Sequence, residues 1–440
     1  MTSNKEIFKI TFPIFLTMFM QNVINLTNTA FLGRVGEVEL GASAIGGVMY
    51  FAIYMIGFGF SQGAQILIGR RNGEKNYSQI GTIFNNSLLF NLLLSLVIIA
   101  LSIKGVPSLM KYLVTSEHIY KSSILYMNWR IYGFFFAFLG VIFRAYYVGI
   151  TQTRVLTYSA FVMAVTNIFF DYALIFGHFG LPKLGIEGAG ISSVIAEAVT
   201  LVYLIWNTVY KTNMKLYGLF EFRKVEIKTI LSILNLSVFI MLQFFISIST
   251  WFMFFIFIER MGEQPLAVSN IGRSIYSILM IPSASIATAA STIVSNMIGA
   301  NEREKVMKFT IKQIINSFLI MIPLVILILL FSRQIGMIFT NDPVLLAASL
   351  PVIRLVALAN LFCAGGFVVF NVVSGTGNTR TAFAMELVTL TFYIIYVYYT
   401  TIIHPTTVTM VWGAEFIYWI IMGLQGFLYL SSGKWKNKEI

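Results

Sequence analysis

The chain has 440 residues, 58% hydrophobic and only 11% charged, with a formal net charge of +12. A soluble globular domain carries about 25% charged residues, so this composition excludes that class and points to a polytopic membrane protein. The single cysteine, Cys363, excludes an intrachain disulfide, and the basic residues lie in short connections and form no basic domain, which argues against nucleic acid as a partner.

Apolar runs of roughly 20 residues, each long enough to cross a bilayer as a helix, recur from end to end. The fold expected is all-α, with about twelve transmembrane helices. In the first half they are placed roughly over residues 8–32, 40–68, 80–103, 122–149, 155–177 and 186–210. The second six are placed roughly over 229–259, 265–299, 306–331, 345–375, 379–403 and 407–431. The polar stretch 211–228 is the expected boundary between an amino-terminal lobe, 1–210, and a carboxyl-terminal lobe, 229–431; residues 432–440 form a tail. The opening run lacks a small-residue cleavage site after it and reads as the first span. Loops on the side of the amino terminus hold most of the cations, among them Lys5, Lys9, Arg70, Arg71, Arg223, Lys224, Lys436 and Lys438. The other side holds a thinner set that includes Arg34, Lys104, Arg130 and Arg354. The positive-inside rule then makes both termini cytoplasmic and the number of spans even.

The first helix carries Pro13, followed by Gln21, Asn22, Asn25, Thr27 and Asn28. Proline has no N–H to donate, so this helix can bend there. The polar residues after it need partners or water, and interhelical hydrogen bonding and cavity lining both remain open. Small residues in the second helix (Gly57, Gly59, Ser61, Gly63) and in the eighth (Ser283, Ser285, Ser291) point to close packing.

The fifth helix contains TNIFFDYALIFG, residues 166–177, in which Asp171 is one of two aspartates in the chain. Asn167, four residues earlier, shares its helical face. An ionised carboxylate in hydrocarbon costs at least ~2.5–3.5 kcal/mol, which marks an ion or proton site. A structural aspartate satisfied by a neighbouring helix is the alternative. In the sixth helix Ala189, Ser193 and Glu197 form one stripe at four-residue spacing, and Glu197 demands the same explanation as Asp171. Glu415 is read as snorkelling to the interface; for Glu386 both possibilities stay open.

The chain repeats itself. RVGEVELGASAIG at 34–46 aligns with RMGEQPLAVSNIG at 260–272, a shift of about 226 residues. The same shift pairs Gly73 with Gly299, Gly149 with Gly375, Thr153 with Thr379 and Arg154 with Arg380. With an even number of spans in each half, the repeats are parallel, a recurring transporter architecture. There is no GxxxxGK[ST], no metal-ligand spacing around His118, His178 or His404, and no paired DxxD. An enzyme is therefore not expected.

The proline-bearing first helix ends in NTAFLGRVG; SQGAQILIGRRNGEKN follows in and after the second, and PKLGIEGAGISS opens the sixth. MIGANERE, SGTGNTR and VWGAE continue the series in the second half. In their order and spacing these motifs resemble the multidrug and toxic compound extrusion transporters. The resemblance implies two pseudo-symmetric six-helix bundles with a central cleft, no cofactor, and export of organic cations or amphiphilic compounds in exchange for Na⁺ or H⁺. It implies a monomer in contact with membrane lipid, in a prokaryotic cytoplasmic (inner) membrane. Carried over residue by residue, it implies a cation site at Asn167 and Asp171 with Ala189 and Ser193, and a hinge at Pro13. The family often has an acid where Asn28 stands, and many members have a glutamate at the place of Ser247. Glu197, where a glutamine is more usual, would then supply a second carboxylate beside Asp171. Asn167, Asp171 and Ser193 offer hard oxygens suited to Na⁺, and Asp171 could instead carry a proton. The rival reading is a flippase of the same superfamily for a lipid-linked saccharide or peptidoglycan precursor, though such proteins carry cavity cations where this chain has mostly acids.

Overall fold

The computed structural model describes residues 3–222 and 225–437. Arg223, Lys224 and Lys438, counted above among the loop cations, lie outside the described residues. Among the described residues there is no strand. In hydrocarbon a helix satisfies its backbone groups within its own segment, so apolar runs of this length fold as helices. The first are α1 (Asn4–Val35), α2 (Glu37–Gly73), α3 (Tyr77–Leu113), α4 (Glu117–Arg130), α5 (Gly133–Gly149), α6 (Arg154–Phe176) and α7 (Ile186–Lys211). A one-turn α8 (Met214–Tyr217) precedes α9 (Ile227–Glu259), α10 (Glu263–Gly299), α11 (Val306–Leu330) and α12 (Ser332–Met337). The rest are α13 (Pro343–Gly375), α14 (Thr379–Tyr398), α15 (Val408–Val411) and α16 (Ala414–Ser431). Among the described residues eleven helical segments are long and apolar enough to span a membrane, and α4 with α5 makes a twelfth if the bent pair is counted as one.

That bend departs from the single helix expected over 122–149. The axis turns by 52° between α4 and α5. Around it the backbone switches to tight bonds three residues apart, Tyr132 N–H to Trp129 O (3.1 Å) and Phe134 N–H to Ile131 O (3.2 Å).

The helices form two compact units. One is Phe8–Met241, and the other is Leu242–Ile440 with Met1–Ile7. In the first, α6 packs on α7, and α2 on α3, α4 and α5. α1 meets α6 through side chains: Phe31 packs on Tyr172 (6.2 Å between ring centres) and Phe176 (5.7 Å), and the Thr17 hydroxyl lies 3.3 Å from Leu156 O. In the second, α13 is central, packed against α10, α11 and α16. The division between these units falls within α9. The polar stretch before α9 is fastened to α3: Asn85 donates to Gly218 O and accepts from Phe220 N–H (both 2.8 Å), and Asn86 accepts from Glu226 N–H (2.8 Å).

Three local devices set the elements that matter below. Pro13 leaves the Lys9 carbonyl of α1 without its helical donor. The Thr153 hydroxyl reaches that carbonyl (3.4 Å) and the next, Ile10 O (3.0 Å), so α1 continues through the proline. Gly177, at φ 77°, ends α6 in the left-handed conformation that favours glycine. Gly188 of α7 lies so near the Leu174 backbone of α6 that a Cβ there would come within 2.7 Å of the carbonyl carbon. This close approach brings the polar faces of α6 and α7 together.

Candidate ion-binding site

Asp171 on α6 is fully buried, and Asn167, one turn earlier, is 1% exposed. The hydroxyl of Ser192 on α7 donates to Asp171 Oδ1, and also lies 3.1 Å from the Ala189 carbonyl. Asn28 of α1 completes the group. With its amide in the orientation that its neighbours satisfy, Nδ2 donates to Asp171 Oδ2, to Asn167 Oδ1 (2.9 Å) and to Ile24 O (3.1 Å). Ser193 donates nothing to Asp171; its hydroxyl accepts from Asn167 Nδ2 at 3.4 Å. The structure thus brings Asn28, Asn167, Asp171, Ala189 and Ser193 into one group, and adds Ser192. Ser192 stands three residues after Ala189, a spacing that shares a helix face as well as four does.

Glu197 is placed differently from the expectation of a second carboxylate beside Asp171. It pairs with Arg130 across 2.8 Å, the two side chains 7% and 11% exposed. The Tyr50 hydroxyl lies 2.9 and 3.1 Å from its two oxygens, and the Arg130 guanidinium lies over the Tyr50 ring at 3.5 Å. Arg130, grouped above with the loop cations, is therefore a buried partner at the end of α4. Its charge answers Glu197 and acts on Asp171 through space.

Beside the Asp171 group is a cavity of about 70 Å³ lined by Thr17, Gln21 and Ile24 of α1, Ser159 and Met163 of α6, and Thr200 of α7. It is far smaller than the ~300–1,000 Å³ of a drug-sized pocket. Met20 and Ala160 complete a mostly apolar lining, and the hydroxyls of Thr17, Ser159 and Thr200 bond to carbonyls of their own helices. Ile24 and Met163 each stand one turn from a member of the polar group, Asn28 and Asn167.

In the carboxyl unit, Glu386 and Glu415 are both buried, at 0% and 2% exposure. Glu415 does not snorkel. Tyr276 donates to it at 2.5 Å and Tyr393 at 3.1 Å. Glu386 accepts from Ser247 (2.6 Å) and Tyr418 (2.8 Å). A carboxylate from α14 thus meets α9 at Ser247, the position where the resemblance leads one to expect an acid. Among the described residues no three His, Cys, Asp or Glu side chains form a metal cluster.

The MatE family model matches residues 13–173 and again 239–399. The two matches are offset by 226 residues, the shift of the internal repeat. The chain is 26% identical over 340 residues to the "Probable multidrug resistance protein YoeA" of Bacillus subtilis, covering 75% of this chain and 72% of that one. It is 25% identical over 387 residues to the "Probable multidrug resistance protein NorM" of Thermotoga maritima, covering 85% and 80%. Among solved structures, an outward-facing multidrug resistance MATE family transporter superposes with a TM-score of 0.89 at 19% identity, covering 97% of this chain and 95% of that one. A MOP superfamily transporter from Pyrococcus furiosus superposes with a TM-score of 0.91 at 18% identity, covering 99% and 97%. With the family model matched in both halves, the chain belongs to the MatE family, the multidrug and toxic compound extrusion transporters its motifs resemble.

Proposed function

We propose that this chain is a secondary antiporter that exports organic cations or amphiphilic compounds in exchange for Na⁺ or H⁺, with the coupling ion held at Asp171. One observation carries the reading: the Asp171 carboxylate is fully buried and its hydrogen-bond partners, Ser192 and Asn28, are neutral donors from two other helices. Arg130, the cation within electrostatic reach, is already engaged by Glu197. A buried carboxylate so placed calls for a mobile positive charge. Asn167 Oδ1, Ser193 Oγ and the Ala189 carbonyl add oxygens for Na⁺, and the same carboxylate could instead take a proton.

On this reading α1 is the moving part. Asn28 ties α1 to Asp171 at one end of the helix, and Thr153 holds it beside Pro13 at the other. A cation on Asp171 takes over the oxygen that Asn28 now occupies and frees α1 to shift about Pro13. Ion and substrate then bias the same equilibrium in opposite directions. The membrane is a prokaryotic cytoplasmic membrane with both termini inside, as the distribution of loop cations supports. The relatives named as multidrug resistance proteins support this substrate class.

The test is reconstitution in liposomes with a fluorescent organic cation, under an imposed Na⁺ gradient and then a pH gradient. One gradient is expected to drive transport and Asp171→Asn to abolish it, which also names the ion. Gradient-driven transport that survives in Asp171→Asn at equal protein would remove this site from the mechanism. A folded protein idle under both gradients would favour the lipid-linked precursor instead.

A further inference from the structure

Each half of the chain uses a tyrosine at the same repeat position to hold a buried carboxylate. In the amino-terminal unit it is Tyr50, bonded to Glu197 of α7, and Arg130 supplies the opposite charge. The shift of 226 residues carries Tyr50 to Tyr276 and Arg130 to Val356. Tyr276 on α10 again donates to a carboxylate on the last long helix of its own unit, Glu415 of α16. The tyrosine is kept and the arginine is replaced by a valine that is fully buried, while the acid comes from a different place on the helix, since the same shift carries Glu197 to Gly423.

Among the described residues nothing else supplies the missing charge. The groups facing Glu415 are the hydroxyls of Tyr276 on α10 and Tyr393 on α14, the indoles of Trp251 on α9 and Trp419 on α16, and the thiol of Cys363 on α13. Tyr418 packs on Tyr393 (6.1 Å between ring centres) and Trp419 (4.8 Å), and holds the second acid, Glu386. Arg354, two residues from Val356, bonds to Ser332 Oγ at 3.1 Å, and Arg273 is exposed, over the Phe255 ring. Among the described residues no lysine, arginine or histidine pairs with Glu415. A carboxylate at this burial without a counter-ion must be neutralised by a ligand.

The chemistry of the cage selects the ligand. A metal ion needs several lone pairs turned towards it. Here the neighbours turn O–H groups to the acid, and the Tyr276 oxygen already accepts from Trp419 Nε1 at 2.7 Å. We propose that Glu415 is a proton-binding site of the carboxyl unit. The carboxylate takes a proton from hydronium onto Oε1, leaving water, and becomes the neutral acid, while the Tyr393 hydroxyl turns from donor to acceptor; release reverses both steps. This site is separate from Asp171 and does not depend on which ion drives transport.

Infrared difference spectra of the purified protein, recorded across a pH titration in H₂O and D₂O, read the acid C=O band directly. The band is expected in the unaltered protein and in Asp171→Asn, and its Glu415 component is expected to vanish in Glu415→Gln. Tyr393→Phe, which removes one partner of the acid, is expected to shift the frequency of that component. A spectrum unchanged by Glu415→Gln would overturn the proposal, as would the absence of any acid band at every pH where the protein stays folded. If Glu415→Gln does not fold, Tyr393→Phe decides alone: an unshifted band refutes the site. Failure of transport leaves this readout intact, so the two proposals fail separately.

Discussion

Arg130 and Glu197 make the most exacting test of the amino-terminal unit. Their N–O distance is 2.8 Å, both side chains are nearly buried, and Tyr50 bonds the acid on one side while its ring lies under the guanidinium. Removing one partner of a buried pair leaves the other charge uncompensated and costs about 3–5 kcal/mol. Removing both leaves no charge behind and costs much less. The cycle of Arg130→Met, Glu197→Gln and the double variant is therefore expected to show coupling of about 3 kcal/mol, with each single variant less stable than the double. The assay is reversible unfolding in mixed micelles of a mild detergent and dodecyl sulfate, with retention of fold checked by circular dichroism. Additive losses, with coupling under about 0.5 kcal/mol, would show that the charges do not meet. Glu197 would then be free to serve as a coupling acid, and Glu197→Gln should abolish ion dependence without loss of stability.

Ser192→Ala removes the hydroxyl on Asp171, a bond to a charged group worth about 1.5–3 kcal/mol, so ion affinity in transport assays should change by roughly 10- to 100-fold; Ser193→Ala should change it by less. Thr153→Val leaves the carbonyls beside Pro13 without their side-chain donor and should cost about 1 kcal/mol of stability, read by the same micellar unfolding. Gly188→Ala forces α6 and α7 apart where a Cβ would meet the Leu174 backbone; a loss of about 1–3 kcal/mol together with weakened ion dependence is expected, because Ser192 and Asp171 are carried by those two helices. Asn28→Asp sets a second carboxylate against Asp171. The two cannot both stay ionised without a cation between them, so the number of ions moved per substrate in a flux-ratio assay should rise, and an unchanged ratio would count against Asp171 as the ion site.

The spans were legible because lipid imposes a simple demand, an unbroken apolar run for each crossing, and this chain meets it from end to end. The break between α4 and α5 was not legible. The apolar pattern runs through it, and the Arg130 side chain at the break answers a glutamate 67 residues away. For the same reason Arg130 looked like a loop cation: the sequence displays its charge but not its partner. Ser192 and Ser193 are adjacent, and helical spacing from Ala189 suits either; the close approach at Gly188 sets which of them meets Asp171. Glu415 was misjudged on depth. It stands in the first turn of α16, which suggests an interfacial position, yet Tyr276, Tyr393 and Trp419 close over it from residues that no local pattern connects.

The energetics of the proposed coupling follow from what Asn28 must give up. An ion can bias α1 only by the free energy of contacts that differ between its two positions. In the position described, α1 is held at Asp171 through one amide, which also reaches Asn167 Oδ1 and Ile24 O. The bond to Ile24 lies within α1 and moves with it, so it contributes nothing. The bonds to Asp171 and Asn167 are what an incoming cation replaces. At about 1.5–3 kcal/mol for the charged acceptor and about 1 kcal/mol for the neutral one, the ion can shift the equilibrium by roughly 10²- to 10³-fold. That overlaps the top of the range usual for coupling between two ligands on one protein, about 5- to 150-fold, and extends beyond it. Asn28→Ala should therefore remove the tie between α1 and Asp171 in the ion-free state and uncouple the exchanger, so that the ion leaks without substrate.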